Sequence, residues 1–411
     1  MKNLEYKNNT LFFDNIDITE LTKKIKTPFY LYSENTIKNN ISDYLSGCND
    51  KTIFCYSVKA NSNLSLLKLI ASQGLGFDVV SKGELHRAIR AGANPKKIVY
   101  SGVGKTREEI AYALNNKILC FNVESEEELD AINEQASLMK IKANVSIRVN
   151  PDIKVETHPY ISTGMRDNKF GIAYEDAFDV YKKASKLESI NIVGVDFHIG
   201  SQIMSISPYI DSIKSIKKLI DKLQKFGLKL EHIDVGGGLG IGYSDEEPIS
   251  KSDYVRTITE SLQDLDLKII FEPGRSIVGD CGILVSQVLY VKEAKSKNFL
   301  IIDASMSELI RPPLYDAYHK IIPVEKNNLK PKTYDVVGPV CESADFLGKD
   351  RSLSCKSGDN IVIQDVGAYG SVLSSNYNTR PKPAEYIISN NQVNLIRSSD
   401  SIEQILDNEN C

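Results

Sequence analysis

The chain has 411 residues, 42% of them apolar and 25% charged, with a net charge of −4. That is long for one domain and ordinary for a globular protein; the charge offers no basic field for nucleic acid or an anionic membrane, and no run approaches the roughly 18 apolar residues of a membrane span. The amino end, MKNLEYKNNTLFF, lacks the apolar core of a signal peptide, and the seven scattered cysteines show no metal-ligand spacing, so a cytoplasmic protein without a structural or catalytic metal is expected.

In chain order, LFFDNIDI (11–18) and PFYLYS (28–33) read as strands. Eight apolar strand-like runs follow: IFCYSVKA (53–60), GFDVVS (76–81), KIVYSG (97–102), ILCFNV (118–123), ANVSIRVN (143–150), IVGVDFHIG (192–200), EHIDVGGG (231–238) and KIIFEPGR (268–275). Segments of helical periodicity lie between them, among them LSLLKLIAS, ELHRAIRAG, TREEIAYALNN and SEEELDAINEQASLM. Strand and helix alternating eight times predict a TIM-like (β/α)8 barrel over residues 30–280. After Arg275 strands follow strands, in CGILVSQVLYVKEA, NFLIIDAS, TYDVVGPVCE, NIVIQDVGAYG, AEYIISN and QVNLIRSS. These predict a C-terminal β-sandwich or β-barrel domain over 281–411, joined by residues 1–29.

Such a barrel carries its chemistry at the carboxyl ends of its strands. There the chain places Lys59, Asp78, Arg148, His198, the glycines 236–238 and Glu272. A lysine partly desolvated at a strand end is a usable amine and forms imines with carbonyls, as in pyridoxal phosphate enzymes. Without that context the same lysine is a side chain snorkelling at the rim. Glu272 could keep a pyridine nitrogen protonated, His198 could pack flat on the ring, and Ser201 could donate to a phosphate. Gly236, Gly237 and Gly238 let backbone N–H groups approach a phosphate, and Gly274 with Arg275 adds a second small residue and a guanidinium. A glycine run alone is equally a tight turn; two such loops after the seventh and eighth strands point to phosphate.

The motifs YSVKAN, GFDVVSKGEL, ETHPYISTGMRDNKFGI, HIGSQ, DVGGGLGIGY, EPGRSIVG, LIRPPLYDAYH, VVGPVCESADFL and GAYGSVLSSNYNTRPKPAE resemble, in order and over almost the whole chain, the diaminopimelate decarboxylase family. That family belongs to the pyridoxal-phosphate enzymes of the alanine racemase/ornithine decarboxylase type. The resemblance implies that Lys59 carries pyridoxal 5'-phosphate as an aldimine, that His198 stacks on its ring, and that Glu272 faces the ring nitrogen. Ser201, Gly236, Gly237, Gly238, Gly274 and Arg275 would cradle the phosphate. Arg275, Arg311 and Tyr315 would hold the distal carboxylate of the substrate, Glu342 its distal ammonium, and Tyr369 would touch cofactor and substrate. Cys341 would be the acid that protonates the carbanion; a neighbouring Glu342 would keep its thiol protonated. By its residue type alone Cys341 reads as a buried structural cysteine. The family resemblance also implies a homodimer whose active sites are shared between subunits, with meso-diaminopimelate as substrate and no nucleic-acid or membrane partner.

The chain departs from the family pattern at Ser305, Ser307 and Pro313, which stand where members usually show Gly, Asn and Ala. The expected reaction is decarboxylation of meso-2,6-diaminopimelate to L-lysine and CO2, the last step of lysine biosynthesis. Alternatives of the same chemistry act on ornithine, arginine, carboxynorspermidine or an acyl-linked amino acid. A racemase and a non-catalytic binding protein on the same fold remain further readings.

Overall fold

The computed structural model describes residues 1, 3–151, 153 and 169–409. Residues 156–168 of the motif ETHPYISTGMRDNKFGI, and Cys411, lie outside the described residues. The chain divides into two compact units, one of Asn40–Ile241 and Glu247–Ser276, the other of Met1–Asn39, Gly242–Glu246 and Ile277–Cys411. Among the described residues no helix is long and apolar enough to cross a membrane.

The first unit is a closed parallel barrel. Its strands are β1 (Thr52–Ser57), β2 (Gly76–Val79), β3 (Ile98–Tyr100), β4 (Cys120–Val123), β5 (Ala143–Asn150), β6 (Ile190–Asp196), β7 (His232–Asp234) and β8 (Lys268–Phe271). Each pairs in parallel with the next, and β8 returns to β1 through Ile270↔Ile53 and Phe271↔Phe54. All eight coincide with the apolar runs, because strands buried on both faces carry apolar residues throughout instead of alternating. Cys55, Val99, Cys120, Val193 and Ile270 form an inner layer.

The intervening helices begin where a short polar side chain can take the unpaired N–H groups of the first turn. Asn63 caps Leu64–Ser72, Ser81 caps Lys82–Arg90, and Ser125 caps Glu126–Leu138. Thr106 and Glu109 close a reciprocal capping box on Arg107–Asn115. Each strand therefore ends at a fixed point above the barrel, which is what places side chains there reproducibly.

The second unit is built of β-sheet. Its strands are Phe29–Ser33 from the start of the chain and β9 (Gly282–Glu293), β10 (Asn298–Ile302), β11 (Ile321–Pro323), β12 (Lys332–Val337), β13 (Phe346–Leu353), β14 (Asn360–Ile363), β15 (Ala384–Ser389) and β16 (Gln392–Arg397). The order runs β13-β12-β10-β9, then Phe29–Ser33, β15 and β16, while β14 pairs with β9 and β11. The twelve-residue β9 shifts register between Val288 and Tyr290 and so serves two sheet segments, one on either side of that irregularity. Phe29 and Leu31 meet Ile283, Val285, Val362 and Ile388 in the core, together with Leu11 and Phe13 of a small N-terminal sheet. Strand Phe29–Ser33 straddles the boundary read from the sequence and lies wholly within this unit. The return of Gly242–Glu246 to it has no counterpart in that reading.

Candidate active site

Lys59 follows β1 in the short turn Val58–Ala60. Its Nζ lies 3.3 Å from Oδ2 of Asp78, at the end of the neighbouring β2. The same oxygen accepts the Ser57 hydroxyl at 2.5 Å, and Asp78 Oδ1 is buried with no hydrogen-bond partner among the described residues. Glu272 sits just past β8, the other neighbour of β1, so amine and carboxylate flank the seam that closes the barrel. Asn122 Nδ2 donates to Glu272 Oε1 at 3.3 Å and approaches Asp234 Oδ2 at 3.5 Å.

Asp234 ends β7. Its Oδ1 accepts the Gly236 N–H at 2.9 Å, and its Oδ2 and Glu272 Oε1 both face the Asn122 amide nitrogen. Two carboxyl groups buried around one amide repel each other, which favours a proton on one of them. Burial, with further push from Asp78, raises Asp234 to about 7. Glu272 is pushed well above the usual carboxylate range by burial and then by Asp234, Asp78 and Asp196. A cation placed against Glu272 would relieve that crowding. Arg148 answers part of the charge deeper in, pairing with Glu124 at 2.9 Å and with Asp196 at 3.9 Å.

On the phosphate side, Arg275 opens a short helix and donates from Nη2 to Ser201 Oγ at 3.1 Å. His198 Nδ1 accepts the Gly237 N–H at 3.2 Å. That bond puts the ring proton on Nε2, while burial, Arg148 and Lys59 hold the imidazole neutral. Gly236 and Gly237 thus spend their N–H groups on Asp234 and His198. Of the three glycines, Gly238 alone has an N–H that makes no hydrogen bond among the described residues. The glycines are required by closeness: a Cβ on Gly237 would stand 2.1 Å from the Glu272 carbonyl oxygen, and one on Gly238 2.4 Å from that of Gly200. A Cβ on Gly274 would come within 3.0 Å of Ser57.

An amine, a buried carboxylate beside it, and a guanidinium–hydroxyl pair next to tightly packed glycines suit a phosphorylated pyridine aldehyde. The residues present fit pyridoxal phosphate.

The second unit holds the remaining candidates. Arg311 is buried at the start of the helix Arg311–Tyr315, with Pro313 inside its first turn, where a missing N–H costs nothing. Its guanidinium lies over the Tyr243 ring at 4.7 Å and meets His319 Nε2 at 2.8 Å. Tyr315 is half-buried at the end of that helix. Before it, Ser305 donates N–H and hydroxyl to Glu308 Oε2, at 2.7 and 2.5 Å, and takes the Ser307 N–H at 3.1 Å. Ser305 therefore pins a turn leading into Arg311, while the Ser307 hydroxyl is buried with no hydrogen-bond partner among the described residues.

Cys341 and Glu342 are exposed, which removes the buried structural role from Cys341. The Cys341 N–H is anchored on Asn378 Oδ1 at 3.0 Å. Asp345 ties this segment to the Ser305 turn, accepting the Val340 N–H at 2.8 Å and the Met306 N–H at 2.6 Å. Tyr369 has φ of 56°, a left-handed conformation costly for a bulky side chain. Strain of that kind collects at functional sites.

The structure thus brings Lys59, Glu272, His198, Ser201, the glycines and Arg275 to one end of the barrel. Within the other unit Arg311 and Tyr315 share one helix, and Asp345 connects the Cys341 segment to the turn before it. Asp234, Asn122, Tyr243 and His319 escaped the sequence reading. A charged residue closing the apolar run EHID was a signal for Asp234; Asn122 and His319 carried none.

Residues 34–279 match the pyridoxal binding domain of the pyridoxal-dependent decarboxylases. The diaminopimelate decarboxylase of Pseudomonas aeruginosa is 44% identical over 408 residues, 98% of either chain. A crystal structure of diaminopimelate decarboxylase from Helicobacter pylori complexed with L-lysine superposes with a TM-score of 0.92 at 45% identity, covering 95% of this chain and 98% of that one. The M. jannaschii diaminopimelate decarboxylase, also in complex with L-lysine, gives 0.94 at 37% identity, covering 100% and 98%.

Proposed function

Since the chain belongs to the diaminopimelate decarboxylases within the pyridoxal-dependent decarboxylase family, we propose how its own residues serve that reaction. It converts meso-2,6-diaminopimelate to L-lysine and carbon dioxide with pyridoxal 5'-phosphate. The observation that carries the reading is the pair Lys59 and Glu272 just past the ends of the two strands that close the barrel. There one cofactor can meet an amine at its carbonyl and a carboxylate at its ring nitrogen.

Bound pyridoxal phosphate supplies an electron sink for the pair left behind when carbon dioxide departs. The protein does the rest. Arg275, Ser201 and the Gly238 N–H would bind the phosphate, and neutral His198 would support the ring. Glu272 would hold the ring-nitrogen proton, with Asn122 fixing its carboxyl. Arg311 and Tyr315, with Arg275, take the distal carboxylate of the substrate, and Glu342 its distal ammonium. Tyr369 borders both molecules. Cys341 Sγ delivers a proton to the carbon that lost its carboxylate.

The working form is a cytoplasmic homodimer, with the Cys341–Glu342 segment of one subunit serving the barrel of the other. The exposure of Cys341 and Glu342 supports that assignment, and the free thiols among the described cysteines suit a reducing compartment. The test is carbon dioxide and lysine production from meso-diaminopimelate, with ornithine, arginine and lysine assayed in parallel. Turnover confined to diaminopimelate supports the reading, whereas turnover of another amino acid overturns the substrate assignment.

A further inference from the structure

His319 is fully buried, eight residues after Arg311, and each of its ring nitrogens has a polar neighbour at the same distance. Its Nε2 lies 2.8 Å from Arg311 Nη1. Its Nδ1 lies 2.8 Å from the carbonyl oxygen of Gln364, the residue after β14. A guanidinium only donates and a backbone carbonyl only accepts. Both contacts are hydrogen bonds for a single form of the ring, the neutral imidazole with its proton on Nδ1. The ring therefore passes a fixed point of the sheet backbone on to the guanidinium.

Tyr243 completes the arrangement. Its ring meets His319 edge-on, with centroids 5.3 Å apart and planes at 81°, and it lies under the Arg311 guanidinium at 4.7 Å. His319 thus sets which edge of Arg311 is turned inward, and Tyr243 sets the plane. Neither His319 nor Tyr243 carries a charge here, so these two contacts orient the cation and leave its charge to Asp365 nearby and to an incoming carboxylate. An arginine carries about 2 kcal/mol of rotamer entropy, and a fork pinned in advance loses less of it on capturing a carboxylate.

Resting on the reading of Arg311 as a distal-carboxylate group, we propose that His319 is a positioning residue for substrate recognition, holding Arg311 in the orientation that receives the distal carboxylate. It touches neither substrate nor cofactor. Its effect falls on binding of molecules that keep that carboxylate, substrate and L-lysine alike, and not on the chemical step.

Two replacements separate this role from simple packing. In His319→Gln the amide oxygen can stand where Nε2 stands and still accept from Arg311. In His319→Asn the amide nitrogen can stand where Nδ1 stands, keeping the bond to Gln364 and losing the one to Arg311. KM and kcat for meso-diaminopimelate, inhibition by L-lysine, and the dissociation constant of pyridoxal phosphate are measured on both and on Arg311→Met. The expected result for His319→Asn is a rise of about tenfold in KM and in the lysine inhibition constant, the worth of one charge-assisted hydrogen bond. Its kcat and cofactor affinity stay close to those of the wild type, and His319→Gln recovers most of the loss. If Arg311→Met leaves KM unchanged, the reading of Arg311 fails. If Arg311→Met raises KM but His319→Asn does not, or Gln and Asn are equally impaired, the positioning role fails. Should His319→Asn not fold, nitrogen NMR of 15N-histidine-labelled holoenzyme decides. A proton on Nδ1 of His319 supports the role and a proton on Nε2 overturns it.

Discussion

The Lys59 amine is 3.3 Å from Asp78 Oδ2, an oxygen that the Ser57 hydroxyl also approaches at 2.5 Å. Asp78 is 1% exposed, so the amine's partner is fixed in place while Lys59 itself reaches toward solvent. A lysine so tethered presents its nitrogen at one spot above the barrel. Lys59→Ala removes the point of cofactor attachment. The expected variant is folded, colourless where the wild type is yellow, and without measurable turnover. A yellow, active Lys59→Ala protein would place the attachment elsewhere.

Cys341→Ala separates proton delivery from cofactor binding. Cys341 is anchored through its backbone to Asn378, so the variant keeps the loop and loses the thiol. The colour stays and turnover falls by about 10²–10⁴-fold, the usual worth of a positioned acid. Normal turnover assigns the proton to another group.

Asp234 gives the apoprotein a pH signature. Its carboxyl, raised from 3.8 to about 7, binds a proton more tightly in the folded chain than in the unfolded one. The stability this confers is complete below about pH 4 and is lost as pH rises to about 7. Asp234→Asn keeps an oxygen for the Gly236 N–H and cannot ionise, so it escapes the loss. The melting temperature of the variant minus that of the wild type should climb between pH 4 and 7 by several degrees, at roughly 2–4 °C per kcal/mol for a body of this size. His232, lowered to about 4 by burial, loses stability for the protein in the opposite direction, as pH falls from about 6.5 toward 4, but it is present in both proteins and cancels. A flat difference would mean that Glu272, and not Asp234, holds the proton throughout.

Gly237→Ala should cost about 3 kcal/mol or more, because the added Cβ meets the Glu272 backbone carbonyl oxygen at 2.1 Å, which no side-chain rotation relieves. The same change at Gly83, in the first turn of a helix with its nearest neighbouring atom at 3.7 Å, should stabilise by up to about 1 kcal/mol. Urea midpoints of the two variants report both numbers. Equal midpoints would show that the glycine turn relaxes freely.

Shared active sites require two subunits. Specific activity should fall on dilution in step with the sedimentation change from dimer to monomer. An active monomer would falsify the shared-site assignment.

The barrel was legible because its strands carry unbroken apolar runs and its helices begin with cap residues that need no distant partner. Strand β13, FLGKDRSL, was missed since Lys349, Asp350 and Arg351 interrupt any apolar pattern, and β11 is three residues long. The glycine motif announced a close approach without saying which N–H groups it leaves available; that depended on Asp234 and on His198, 39 residues from Gly237. Asn122 lies 112 residues from Asp234, and no local pattern encodes such a meeting. His319 was legible as a motif letter and silent as a function, since its meaning lies in the Gln364 carbonyl, which any residue supplies.

Strand Phe29–Ser33 is buried along its whole length and pairs with Gly282–Val285 on one edge and Ala384–Ile388 on the other. On the ribosome this segment emerges before the first barrel strand and its second neighbour after the last. Every barrel strand is made in the meantime, so the barrel can close while FYLYS still waits with an open edge. For that interval the newborn chain carries an apolar strand able to pair with any other exposed edge, and its safe passage falls to whatever shields nascent chains in the cell.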